Sequence, residues 1–151
     1  MRKTILLLTI ALLPSFASAQ TSFRYDAKYL CGKQGTSPHN FLPGVYFTSI
    51  NVYSNSGVHA FKKRFTVSLV NEKAGGSTGW VVTSLSAGQS LQIDCDNIIS
   101  HLGTLPPGGQ VTEGFVIIDS PNKLDIVAVY SAGPQGGPVS SLLMERVPIA
   151  P

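Results

Sequence analysis

Two cysteines, Cys31 and Cys95, three histidines, His39, His59 and His101, and eight acidic residues are the groups in this 151-residue chain with the chemistry for nucleophilic, metal or acid–base work. The histidines lie far apart, with no His-x-His or His-Glu-x-x-His spacing, so they read as separate loop residues rather than as a ligand set. Asp94, Asp96 and Asn97 supply clustered oxygens. A calcium loop needs further carboxylates, a glycine at its bend and a closing glutamate, and these are missing; a helix cap accounts for the cluster. No serine sits in a Gly-x-Ser-x-Gly elbow, and Ser120, directly before Pro121, is a turn residue. No local pairing of carboxylates marks a hydrolase. The expectation is therefore a non-enzyme with no catalytic residue, no metal and no cofactor.

The aromatic residues point toward binding. Trp80, the single tryptophan, follows Gly75-Gly76-Ser77-Thr78-Gly79, a stretch that places it at a loop edge. With Tyr46 or Tyr53 it would offer a flat apolar plane with a polar tip for stacking on a sugar. The competing reading packs Trp80 in the core between two sheets, as a lone tryptophan of a sandwich often does. The basic run Lys62-Lys63-Arg64 lies between Phe61 and Phe65 and reads as a solvated strand face.

Residues 1–19 have the form of a secretory leader: Arg2-Lys3, an apolar run from Ile5 to Leu13, and the small-residue exit Ala17-Ser18-Ala19. Gln20 rather than cysteine follows, so acylation at the new N-terminus is not expected. Residues 20–151 then form one domain, exported to the periplasm or the extracellular space, with no later run long enough to span a membrane. In an oxidising compartment Cys31 and Cys95 are expected to join in a disulfide. Losing the leader removes two of the 11 basic residues and none of the eight acidic ones. A nearly neutral domain releases few counterions, which argues against nucleic acid as a partner.

Valine, isoleucine, tyrosine, phenylalanine and threonine alternate between glycine- and proline-rich turns, the pattern of an all-β chain. Strands are expected at 25–32, 45–53, 60–70, 80–85, 91–95, 114–119, 124–132 and 141–147, with 73–79 a flexible turn. Parity places Tyr46, Thr48, Ile50 and Val52 on one face. Phe61, Phe65, Val67 and Leu69 point inward while Lys62, Arg64, Thr66 and Ser68 point outward. Lys63 breaks that alternation and is expected to reach water through its long side chain. Asn55-Ser56-Gly57 and Ser120-Pro121-Asn122-Lys123 each predict a hairpin, pairing 45–53 with 60–70 and 114–119 with 124–132. Asp96 is placed to cap a short helix through Ile98, Ile99 and Leu102 that stops at Gly103. Pro148 and Pro151 fray the terminus. Seven or eight such strands with one disulfide predict an immunoglobulin-like β-sandwich.

The stretches Ala27-Lys28-Tyr29-Leu30-Cys31-Gly32, Ile93-Asp94-Cys95-Asp96 and Gly114-Phe115-Val116-Ile117-Ile118-Asp119-Ser120-Pro121, followed by Leu124-Asp125-Ile126-Val127-Ala128-Val129-Tyr130, resemble a group of uncharacterised secreted bacterial β-sandwich proteins. The resemblance covers most of residues 20–151, including the closing Met144-Glu145-Arg146-Val147-Pro148, and implies fold and export rather than a chemistry. Function is accordingly expected to be that of a non-catalytic interaction or structural module, with a protein or glycan of the cell envelope as partner. Carbohydrate binding is the alternative. The strand 141–147, approached through the glycine- and proline-rich 133–138, is the candidate edge for accepting a partner strand.

Overall fold

Strand β1 (Phe23–Gln34) buries Tyr25, Ala27, Tyr29 and Cys31 in strict alternation and takes part in both layers of the fold. The computed structural model describes residues 22–35, 41–55, 57, 59–69, 73–103 and 111–150; the leader and His39 lie outside them, and so does the Ser56 of the first expected turn. The described elements are β1, β2 (Gly44–Tyr53), β3 (His59–Ser68), β4 (Ala74–Ser77), β5 (Val81–Leu85), β6 (Ser90–Asp94), helix α1 (Cys95–Leu102), β7 (Thr112–Ser120), β8 (Asp125–Gly133) and β9 (Ser141–Arg146). The fold is all-β with one short helix and one disulfide, as the sequence indicates. The described residues form nine strands, because part of the stretch expected to be a flexible turn forms β4.

The strands make one continuous antiparallel sheet in the order β4-β3-β7-β1-β2-β8-β9, with β5 also on β3 and β6 also on β2. The sheet folds over at β1. Its residues from Phe23 to Cys31 pair with β7, and Gly32, Lys33 and Gln34 pair with the start of β2. The change of partner falls at Gly32, whose φ of 125° is one that side-chain-bearing residues rarely adopt. The first layer is thus β4 and β5, β3, β7 and β1; the second is β6, β2, β8 and β9.

Inward residues of both layers share one core. Tyr25, Tyr29, Phe61, Phe65, Val116 and Ile118 come from the first, and Ile50, Val52, Ile93, Ile126 and Ala128 from the second. The parity of β2 is as the sequence predicts, and so is that of β3 from Phe61 to Val67; Leu69, expected to point inward, lies beyond the end of β3 and is exposed, after the register shift between Thr66 and Ser68. The expected pairings do not form. β3 bonds to β7, β4 and β5, whereas β2 bonds to β1, β6 and β8. Likewise β7 and β8 do not form a hairpin: the Ser120–Lys123 turn carries the chain from one layer to the other. Both strands are central in their layers; Val116 and Ile118 face the core, while Ile117 is buried on the outer face beside Arg64 and Phe115 on that same face is exposed.

The helix begins two residues earlier than expected. Asp94, not Asp96, is the N-cap: its carboxylate accepts from Asn97 N–H at 3.0 Å, and the Asn97 side chain accepts from Asp94 N–H at 3.2 Å. Asp96 sits in the first turn, where its charge suits the helix dipole. Gly103 ends the helix in the left-handed conformation with φ 75°. The terminus does not fray immediately after β9. Val147 is buried and donates to the Ile126 carbonyl at 2.8 Å, Ile149 forms a bridge with Tyr25, and Ala150 N–H donates to the Arg24 carbonyl at 2.7 Å.

Candidate interaction surfaces

Cys31 and Cys95 form the expected disulfide, 64 residues apart in sequence, and both are buried. It joins β1 to the first residue of α1. Beside it the Thr48 hydroxyl accepts from Leu30 N–H at 2.9 Å and donates to the Leu30 carbonyl at 3.0 Å, and Thr48 N–H donates to the Cys95 sulfur at 3.1 Å. The Asp94 and Asn97 oxygens are taken up by the helix cap. His101 lies on α1, not in a loop, stacked on Phe65 with ring centroids 4.7 Å apart and planes 13° from parallel. His59 is the first residue of β3. Among the described residues no three His, Cys, Asp or Glu side chains come together in a way that would hold a metal ion.

The three aromatic candidates are not brought together. Trp80 is 39% exposed on the outer face of the first layer, so it is not the core residue of the competing reading. A bulge puts it there. Lys63 faces Val81, and Phe65 is bonded to Thr78 through its N–H (to the hydroxyl, 3.0 Å) and its carbonyl (from the Thr78 N–H, 2.9 Å), leaving Gly79 and Trp80 both opposite Arg64. The indole lies against two cations, with Lys62 Nζ 4.6 Å and Arg64 Cζ 4.7 Å from its centroid. Tyr46 and Tyr53 are at opposite ends of β2 in the other layer. Tyr46 has inward parity, is half-buried, and donates its hydroxyl proton to the Leu42 carbonyl at 2.7 Å; Tyr53 is exposed on the outer face.

Lys63, expected to reach water, is buried on the inner side of β3. Its ammonium donates to the Thr83 hydroxyl at 2.7 Å, and desolvation holds its pKa below the ordinary 10.5. The parity of β3 contains this result: Lys63 shares its face with Phe61 and Phe65, and β5 supplies the hydroxyl that makes the position tolerable.

The second surface is β9. It bonds to β8 along one side, in unbroken register from Val127 opposite Arg146 to Ala132 opposite Ser141, and ends the sheet. All six of its residues are exposed, Leu142, Leu143 and Met144 by 61–68%. Register places Leu142 beside Ser131 and Phe47, and Met144 beside Val129, so the outer face next to this edge is largely apolar. Leu143 has inward parity yet is exposed. The edge at the other end of the sheet is different: β4 and β5 are short, separated by the bulge at Gly79 and Trp80, and β4 has a second irregularity opposite Val67. Short strands, bulges, lysines and prolines blunt edges against pairing. The segment Ser-Leu-Leu-Met-Glu-Arg of β9 has none of the last two, and its register is regular.

No family model matches the chain, and no curated protein matches it. Among solved structures, the crystal structure of Thermotoga maritima 1070 is similar in fold, with a TM-score of 0.52 and 11% sequence identity over 85% of this chain and 93% of that one. At that identity the likeness concerns the backbone arrangement alone.

Proposed function

We propose that this protein is a non-catalytic interaction module of the periplasm or extracellular space that binds a protein partner by strand addition at β9. The observation that carries the reading is a sheet edge in regular register, without lysine, proline or bulge, whose residues Leu142, Leu143 and Met144 are each more than 60% exposed and whose charges, Glu145 and Arg146, are confined to its end. An edge strand presents main-chain donors and acceptors for a partner strand, and exposed side chains on both faces add apolar contact. Export is supported by the form of residues 1–19 and agrees with the buried disulfide.

Site-specific photo-crosslinking in intact cells tests this. A crosslinking residue at Leu143 is expected to yield a discrete adduct that the same residue at Ser84, on the opposite edge of the sheet, does not, and Met144→Lys should abolish it. Equal labelling from both positions, or an adduct indifferent to Met144→Lys, would remove β9 from the proposal.

Carbohydrate binding is the second reading, favoured by one observation: the single tryptophan lies on the surface, against the Lys62 and Arg64 cations rather than packed between the layers.

A further inference from the structure

The outer face of the first layer carries its side chains in rows set by register. Val82, Lys62 and Asp119 lie side by side, then Arg64 beside Ile117, then Thr66 beside Phe115. Three cations of this face have carboxylate partners: Arg24 with Asp26 at 3.2 Å, Lys28 with Glu113 at 3.0 Å, and Lys62 with Asp119 at 3.7 Å. Arg64 has none among the described residues. Its cross-strand neighbour is the buried Ile117, its Nε–H is buried with no acceptor, and its guanidinium is set against the Trp80 ring. An uncompensated cation and a partly exposed tryptophan therefore stand together on a face whose other named cations are paired with carboxylates.

Resting on the carbohydrate reading, we infer that Trp80 and Arg64 form a binding site for an acidic saccharide. The C–H face of the sugar ring stacks on the indole, and its carboxylate pairs with the Arg64 guanidinium, a charge-assisted contact stronger than any a neutral sugar makes there. A depression of about 390 Å³ adjoins the cluster through Lys62 and Val82. Its lining combines Ala60, Val82 and Pro121 with Lys62 and Asp119, whose side chains are ion-paired at 3.7 Å, an apolar floor with one charged pair at its rim for the hydroxyls of a further ring. The charge count selects this ligand over a nucleic acid. The whole chain carries a formal net charge of only +3, and a single unpaired guanidinium suits one carboxylate per ring rather than a phosphate backbone.

Because Trp80 is the only tryptophan, fluorescence of the disulfide-bonded protein excited at wavelengths that tyrosine does not absorb reports on this site alone. The titrants are oligogalacturonate, the same oligomer fully methyl-esterified, and inorganic polyphosphate. Oligogalacturonate is expected to give a saturable change, and the ester to bind at least about tenfold more weakly, the loss of one charge-assisted contact. Arg64→Gln should bring the acid down to the affinity of the ester and leave the ester unchanged. Equal binding of acid and ester by the unmodified protein would overturn the acidic-ligand assignment while the carbohydrate reading stands. A response to polyphosphate as strong as to oligogalacturonate would make the cluster a general anion patch and overturn the saccharide. No response to either oligomer would overturn both readings.

Discussion

The phenolic oxygen of Tyr25 serves both backbone groups of a single residue 99 positions away: it accepts from Leu124 N–H at 2.9 Å and donates to the Leu124 carbonyl at 3.0 Å. Tyr25 is on β1 in the first layer, and Leu124 precedes β8 in the second. One buried hydroxyl does what a strand partner would do at the point where the chain crosses between layers. Thr48 treats Leu30 in the same way at the fold of β1, and Thr66 treats Phe115 so, accepting from its N–H at 3.1 Å and donating to its carbonyl at 3.3 Å.

Tyr25→Phe should therefore cost more than a surface hydrogen bond. It leaves a buried N–H and a buried carbonyl without partners while preserving the ring, and the expected loss is about 3 kcal/mol. Urea unfolding checks it: the midpoint should fall with the slope unchanged.

Reduction of Cys31–Cys95 frees a loop with a sequence separation of 64. The chain-entropy model gives about 4 kcal/mol, a large share of the stability of a domain this size. Denaturant midpoints with and without reductant should differ markedly. Coincident curves would show that the bridge contributes nothing.

Gly114 is fixed by the close approach of β3 and β1. A Cβ there would run into the Thr66 carbonyl oxygen and lie 2.8 Å from the Tyr29 hydroxyl. Backbone cannot retreat as a flexible side chain can, so Gly114→Ala is expected to cost about 3 kcal/mol or more, read as a lowered thermal midpoint.

Stability should depend on alkaline pH in two opposed ways. Burial, helped by the Glu113 carboxylate, pushes Tyr29 from 10.0 up to about 12. Between those values the folded chain keeps a proton that the unfolded chain has lost, so this contribution is intact below pH 10 and lost as pH rises toward 12. Lys63, held below 10.5 by desolvation, works the other way: between its folded value and 10.5 the unfolded chain binds more protons, and stability rises with pH. Tyr29→Phe should flatten the fall above pH 10, and Lys63→Met should flatten the rise below 10.5 and raise the midpoint at pH 7. Unfolding midpoints across pH 8–12 would show whether the two slopes separate in this way.

Removing residues 139–151 deletes more than an edge. Val147 is buried, and Ile149 and Ala150 pair with β1 in the other layer, so the truncated protein should be destabilised even without its partner. Leu142→Lys or Met144→Lys, on exposed positions, should leave the thermal midpoint within about 1 °C or 2 °C, as surface substitutions do. A large loss in either would mean that these side chains are structural.

The candidate surfaces were only partly legible in the residues. The edge at 141–147 could be named because a final short strand behind a glycine- and proline-rich approach tends to join last and stay outermost. Trp80 was visible as a candidate, but its side was not: a bulge of two residues opposite Arg64 decides it, and bulges leave little trace beyond a glycine such as Gly79. The partnership of Trp80 with Arg64 rather than with Tyr46 or Tyr53 follows from strand order.

By itself the sequence determined the positions of the strands other than β4, the inward parity of β2 and of β3 as far as Val67, the helix stop at Gly103 and, with only two cysteines, the disulfide. These are local or exclusive properties: a period of two is written in neighbouring residues, and a single pair of thiols has one partner each. Only the tertiary structure decided which strands pair. The turns after β2 and β7 look like hairpin turns, yet both carry the chain across the core, because whether a turn returns to its own layer depends on contacts far away in sequence, such as Tyr25 with Leu124. The burial of Lys63, the exposure of Leu143 and the isolation of the Arg64 charge all follow from that choice.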